Sequence, residues 1–269
     1  MFRIVIAVVA VWGLISGPSH GASYARALHE GVARYGVVEG DSLQLLEGGL
    51  FPMSEKTQTA IPLSKVNWLP PTDPEKVFAV GKNFASHLSS RADRPPPLFL
   101  KLPSALAGHR ERVVLPPDAR NVHYEGELVM VVGKTAKNVS EAVAMDYIFG
   151  VTAGNDLSER SWQSSDLQWI RAKASDGFGP VGPVITTNLN ITDLLLTTRL
   201  NGTVVQQEST ANMIHSPAKV VSFLSRYFTL KPGDLIFMGT PGRTSALQDG
   251  DVVEVEIESV GILSNTIQQ

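Results

Sequence analysis

The residues best placed to do chemistry lie together in His123-Tyr124-Glu125-Gly126-Glu127, which runs straight into the apolar segment LVMVVG. In an extended chain, side chains at i, i+2 and i+4 share a face, so His123, Glu125 and Glu127 are expected to project together. Two carboxylates side by side against a buried strand repel each other, and a hard cation or a basic side chain relieves that repulsion. A further acid, Asp156, follows the run YIFGVTAG in Asn155-Asp156, at the end of another expected strand. Three carboxylates at one locus, with no thiolate, favour magnesium, manganese or calcium over zinc, because carboxylate oxygens suit hard ions. The same spacing also describes the solvated face of an edge strand, and spacing alone leaves both readings open.

Composition narrows the remaining chemistry. The 269 residues contain no cysteine, which excludes disulfides, thiolate zinc sites, iron–sulfur clusters and a cysteine nucleophile. Lys and Arg total 23 against 26 Asp and Glu, a formal charge of −3 that offers no basic patch for nucleic acid. With 43% hydrophobic and 18% charged residues, the chain is too apolar to be disordered, and its length suits a large domain with a small one attached. The first 22 residues differ from the rest: Arg3, an apolar run from Ile4 to Ile15, then Gly17, Pro18, Ser19, Gly21 and Ala22. This layout predicts a cleaved secretory signal peptide and an exported, periplasmic protein. An uncleaved N-terminal membrane anchor is the alternative, although the run is short for a membrane span.

The elements that must position these side chains are mainly strands. Residues 33–46, ARYGVVEGDSLQLL, hold two short runs around Glu39-Gly40-Asp41, a hairpin signal that places a small N-terminal β module over residues 23–70. Four prolines within 62–74 predict a linker, with a catalytic domain over 71–269. Short apolar runs at 128–133, 147–153, 181–185, 195–200, 235–238 and 252–257 predict strands. Only 216–228 reads as a helix, with Pro217 near its start and Val220, Val221, Leu224 and Phe228 at helical spacing. Its Val220, Val221 and Leu224 stripe is expected to be core. The fold class predicted is mostly β, with some helix (α+β).

The segments HYEGELVMVVGK, GVTAGNDLSER, QWIRAKASDGFGPVGPVI, LNGTVVQQESTANMI and LKPGDLIFMGTP, in this order and spacing, resemble the fumarylacetoacetate hydrolase family. VFAVGKNFASHL and PPPLFLKLPSALAG extend the resemblance upstream, and RYGVVEGDSLQLLEG is similar to that family's small N-terminal module. The resemblance implies a mixed β-roll catalytic domain, a homodimer, and magnesium or manganese bound through an E-x-E pair and a later Asp. Those positions are Glu125, Glu127 and Asp156. It implies a small 2-oxo or 1,3-dioxo carboxylate as substrate, whose carbonyl the cation polarises.

Further residues match the family one by one. His87, in Asn83-Phe84-Ala85-Ser86-His87, matches the catalytic histidine, and imidazole suits taking a proton from water near neutrality. Hydrolytic members commonly pair this histidine with a Glu three residues later. Here that position is Ser90, so Glu111 or Asp93 are the candidate substitutes. Lys173 matches the lysine that steadies an enolate or a substrate carboxylate. Arg160, Gln163 and Thr240 match substrate-side residues, His123 is expected to line or support the site, and Lys101 and Ser104 of KLPS are expected in a structural turn beside it. The function this implies is hydrolytic C–C cleavage of an acylpyruvate-like compound. Isomerisation, hydration or decarboxylation of a 2-oxo acid through the same enolate is the alternative, which Ser90 makes competitive. A reading of another class is a binder of metal and oxo acid without turnover.

Overall fold

A segment that is apolar at every position is buried on both faces, whereas an edge or surface strand alternates. LVMVVG is such a segment, and in the computed structural model all of Gly126–Val132 is buried. It runs antiparallel to Ile148–Asn155 on one side and to Leu235–Phe237 on the other, so it is a central strand. Its side chains alternate between two cores: Leu128, Met130 and Val132 join one with Val255, Ile257 and Leu263, and Val129 and Val131 join another with Val77 and Phe237. The edge-strand reading of Glu125 and Glu127 is thereby overturned. The structure describes residues 21–87 and 93–269. The apolar run expected to direct export, and Ser90, lie outside the described residues.

Ten strands follow one another across the main sheet in the order Lys56–Pro62, Ser42–Leu46, Val32–Glu39, Ser23–His29, Gly179–Thr186, Ile148–Asn155, Gly126–Val132, Leu235–Phe237, Val77–Val80 and Leu98–Lys101. An eleventh, Leu106–Ala107, pairs in parallel with Gly179–Thr186. The sheet is mixed, since Leu235–Phe237 and Val77–Val80 are also parallel. The expected hairpin closes where Glu39 pairs with Ser42, with Gly40 at φ 56°, a backbone conformation that glycine adopts without steric cost. The four N-terminal strands continue the main sheet, through Ser23 and Tyr24 on Thr186 and Ile185. The proline-rich stretch lies along the first strand, where Leu28 donates to the Asn67 carbonyl at 2.8 Å and Leu69 to that of Arg26 at 3.0 Å.

A five-stranded sheet, in the order Thr203–Ser209, Leu195–Leu200, Val252–Ile257, Gly261–Gln268 and Arg112–Val114, packs against the main one. The six runs read from the sequence all form strands. The helix Pro217–Tyr227 also forms: Ser216 caps it by accepting the Lys219 amide at 3.3 Å, and Val220, Val221 and Leu224 are fully buried in the larger core. Two helices not singled out from the sequence, Arg160–Ser165 and Ile170–Ala174, are too short to show a period. Among the described residues no helix is long and apolar enough to cross a membrane.

The two sheets meet at Gly126, between the paired glutamates. A Cβ there would lie 2.0 Å from Thr198 Oγ1 and 3.3 Å from Val255 Cγ1. Gly126→Ala is therefore expected to cost about 1–3 kcal/mol through overpacking, read as a lower midpoint in urea unfolding. An unchanged midpoint would show that the sheets do not meet this closely.

Candidate active site

Strand register assembles the acids. Gly126 lies opposite Asn155 across the antiparallel pair, which sets Asp156 beside Glu125 and Glu127. Two cross-links fix the junction: the Glu125 amide donates to Asn155 Oδ1 at 2.9 Å, and the Asp156 amide donates to the Glu125 carbonyl at 2.8 Å. Carboxylate oxygens of Glu125, Glu127 and Asp156 all lie within 4.8 Å of one another. The residues are 4%, 2% and 0% exposed, so their charges cannot be dissipated into water.

Basic groups compensate two of the three. Lys173 Nζ reaches Glu125 Oε2 at 2.6 Å and Asp156 Oδ2 at 2.5 Å. Lys101 Nζ reaches Asp156 Oδ1 at 2.5 Å and also donates to the Lys173 carbonyl. Arg160 Nη2 donates to Glu125 Oε1 at 2.6 Å, and His87 Nε2 lies 3.3 Å from the same oxygen. Glu127 differs. Among the described residues, its carboxylate accepts one hydrogen bond, from the Gly239 amide at 2.7 Å.

The proton affinities follow this partition. Burial and the negative charges of Asp156 and Glu125 push the Glu127 carboxyl well above the usual carboxylate range. Burial also works to raise Glu125, but the Lys173 charge, the His87 hydrogen bond and the Arg160 charge prevail and hold it well below that range. Lys173 is opposed by burial, yet the charges of Asp156 and Glu125 raise it above the ordinary lysine value. Lys101 is lowered, first by burial and then by the neighbouring Lys173 cation, with Asp156 opposing. Three buried oxygen donors, one of them lacking a basic partner, fit a hard divalent cation.

All eight residues expected at the site line one cavity: His87, Glu125, Glu127, Asp156, Arg160, Gln163, Lys173 and Thr240, together with Phe99 and Trp169. It is small, about 40 Å³, on the scale of an ion and a few waters. Arg160 and Gln163 share one face of the Arg160–Ser165 helix, where Arg160 Nη1 donates to Gln163 Oε1 at 2.9 Å. The Glu159 carboxylate caps that helix by accepting the Trp162 amide at 2.6 Å. Lys173 comes from the Ile170–Ala174 helix.

Three expectations are corrected. His123 does not project with the glutamates. Its strand is the separate pair Val122–His123, and its ring nitrogens meet Thr244 Oγ1 and Asn121 Oδ1, each at 2.9 Å. It supports the site indirectly, since Thr244 Oγ1 also accepts Arg160 Nη2 at 3.0 Å. Lys101 is no mere turn residue: it ends the Leu98–Lys101 strand on the same side as Phe99, and its ammonium is fully buried against Asp156. Glu111 accepts the Gly108 amide at 2.8 Å, and among the described residues no contact joins it to His87, whose ring meets Gly242 and Glu125.

The sequence reading also passed over Gln206 and Asn83. Gln206 accepts the Gly126 amide at 3.2 Å and donates to Thr240 Oγ1 at 2.9 Å and the Pro241 carbonyl at 2.5 Å. Asn83 is fully buried and donates to the carbonyls of Met238 and His215 at 2.8 and 3.2 Å. The available signal for Lys101 was a cation inside the apolar run LFLKL, which has to find a partner when buried.

Comparison with known proteins shows the family. The family model described as fumarylacetoacetate (FAA) hydrolase C-terminal matches residues 76–268, and one described as Rv2993c-like, N-terminal, matches 23–71. The chain belongs to the fumarylacetoacetate hydrolase family. Protein Rv2993c of Mycobacterium tuberculosis is 45% identical over 212 residues, covering 77% of this chain and 80% of that protein. The mitochondrial oxaloacetate tautomerase Fahd2a of Rattus norvegicus is 35% identical over 222 residues, covering 77% and 71%. The crystal structure of 2-hydroxyhepta-2,4-diene-1,7-dioate isomerase from Mycobacterium marinum superposes with a TM-score of 0.86 at 38% identity, covering 92% of this chain and 98% of that one.

The raised Glu127 predicts proton-linked cation binding. Below its raised pKa the cation-free Glu127 carboxyl holds a proton, and coordination needs the ionised form, so in that range binding releases a proton and tightens as pH rises. Calorimetric titration with Mg²⁺ or Mn²⁺ in two buffers of different ionisation enthalpy measures that release. Affinity independent of pH, with no proton released, would contradict it.

Proposed function

We propose that the protein is a divalent-cation-dependent enzyme that shifts a proton between carbon and oxygen of a small 2-oxo carboxylate, as a tautomerase or isomerase. The observation that carries this reading is the setting of His87. Its Nε2 points at the carboxylate cluster, while Nδ1 lies 2.6 Å from the Gly242 carbonyl, a neutral acceptor. A ring held in this way can take a proton and return it, and needs no acid partner to stabilise a lasting imidazolium. The names borne by the rat tautomerase and the mycobacterial isomerase describe reactions of this kind.

The roles divide as follows. Glu125, Glu127 and Asp156 hold the cation, which when bound supplies Lewis acidity to the oxo and carboxylate oxygens of the substrate. His87 Nε2 takes the proton from the carbon beside the oxo group and delivers it to the oxygen in enol formation, and reverses these steps in ketonisation. Lys173, raised above the usual lysine range against burial by Asp156 and Glu125, stays charged at neutral pH and offsets negative charge gathering on the substrate oxygen. Arg160 and Gln163 orient the carboxylate, and Thr240 closes the opposite wall.

Hydrolytic C–C cleavage of a 1,3-dioxo carboxylate, the leading expectation from the motifs, is the second reading. The family match and the full set of cavity residues favour it, and it adds an attacking water to the same His87 and Lys173. Cation-loaded protein incubated in D₂O with oxaloacetate and with an acylpyruvate, followed by proton NMR, separates the readings. The proposal expects faster keto–enol exchange and no fragments, with kcat falling about 100-fold or more in His87→Ala. Two fragments from the acylpyruvate would establish hydrolysis instead, and tight binding without conversion would establish a binding protein.

A further inference from the structure

We propose that Ser86 and Glu208 are positioning residues that set the tautomer and the aim of His87 by holding the Gly242 carbonyl against its ring. The inference rests on the reading of His87 as the proton carrier. It begins from a restriction on the hydrogen bond: a carbonyl only accepts, so the Nδ1 that lies 2.6 Å from the Gly242 oxygen carries the proton. The proton that moves is then the one on Nε2, which faces the carboxylate cluster 3.3 Å from Glu125 Oε1 and can donate to that oxygen whenever it carries a proton.

Gly242 has no side chain whose packing could aim that carbonyl. Gly242 has φ +62°, and a Cβ built on it meets nothing within 4 Å. Hydrogen bonds hold it instead. The Gly242 amide donates to Ser86 Oγ at 3.0 Å, and the Ser86 hydroxyl in turn donates to Glu208 Oε2. Adjacent side chains therefore grip the two ends of one residue, Ser86 its amide and His87 its carbonyl. Glu208 stands two residues beyond Gln206 on the Thr203–Ser209 strand, hence on the same face. Gln206 secures the buried start of the loop at Thr240 and Pro241, and Glu208 secures its exposed end through Ser86. Asn83 anchors the other end of the histidine segment to Met238, immediately before this loop. Ser86 and Glu208 thus provide the orientation that a glutamate at position 90 would otherwise be expected to give.

The test uses the full chain, loaded with Mg²⁺ and labelled with ¹⁵N-histidine, with His87→Ala assigning the ring signals. The wild type is expected to show the Nδ1–H tautomer at His87. Ser86→Ala and Glu208→Ala are expected to shift the ring toward the Nε2–H form that free imidazole prefers. Both should lower kcat for keto–enol exchange about 10- to 100-fold with KM unchanged, while Ser86→Thr and Glu208→Gln, which keep the hydrogen bonds, restore it to within about threefold. An unchanged ring signature in the two alanine variants, or wild-type kcat in both, overturns the proposal. If His87→Ala keeps full activity, the proton-carrier reading fails on its own account, separately from the tautomer result.

Discussion

Three carboxylates within 4.8 Å of one another, nearly sealed from water, make up a charge that the fold cannot leave alone. Isolated buried charges cost several kcal/mol each unless they are paired, and much of the surrounding structure serves to pair these. Lys101, Lys173 and Arg160 bring three positive charges to the cluster, from the end of a strand and from two short helices. They do not share them evenly. Among the described residues Glu125 and Asp156 take the direct contacts with these cations, and Glu127 is left with a backbone amide. This asymmetry gives the cluster its chemical character: two acids are contacted directly by basic groups, and the third has room for a cation.

The same cluster explains why the supporting elements are so regular. Glu125, Glu127 and Asp156 stand at facing ends of two central strands, so their separation is set by ladder hydrogen bonds and by the absence of a side chain at Gly126. The loop-borne parts of the site approach from outside. The loop of residues 239–244 contributes the Gly239 amide to Glu127, the Gly242 carbonyl to His87 and the Thr244 hydroxyl to Arg160. A fixed acidic floor is thus combined with a wall held in place by Gln206, Ser86 and Glu208.

Much of this was legible in the sequence because strand burial leaves a local trace. The continuous run LVMVVG marks a strand buried on both faces, and the spacing of Val220, Val221 and Leu224 marks the one long helix. Family motifs named eight residues that the fold gathers around one cavity, although they span 154 positions from His87 to Thr240, counted inclusively. What stayed hidden depends on partners far along the chain. Lys101 meets Asp156 across 55 positions and Gln206 meets Gly126 across 80, and no local pattern announces either contact. His123 misled for a related reason. Alternation holds only while the chain stays extended in one strand, and the chain leaves its first strand at His123 and enters the next at Gly126.

The cluster of Glu125, Glu127 and Asp156 is a cation site, with Lys101 and Lys173 as its buried basic partners. Crystals grown with Mn²⁺ and measured at the manganese absorption edge test it directly. One anomalous peak per chain is expected, with an oxygen of each of the three carboxylates about 2.0–2.3 Å away, as oxygen ligands bind ions of this size, and with both lysines still in contact with Asp156. An anomalous map without a peak at these carboxylates, from crystals of protein that turns over in the same Mn²⁺ buffer, would contradict it.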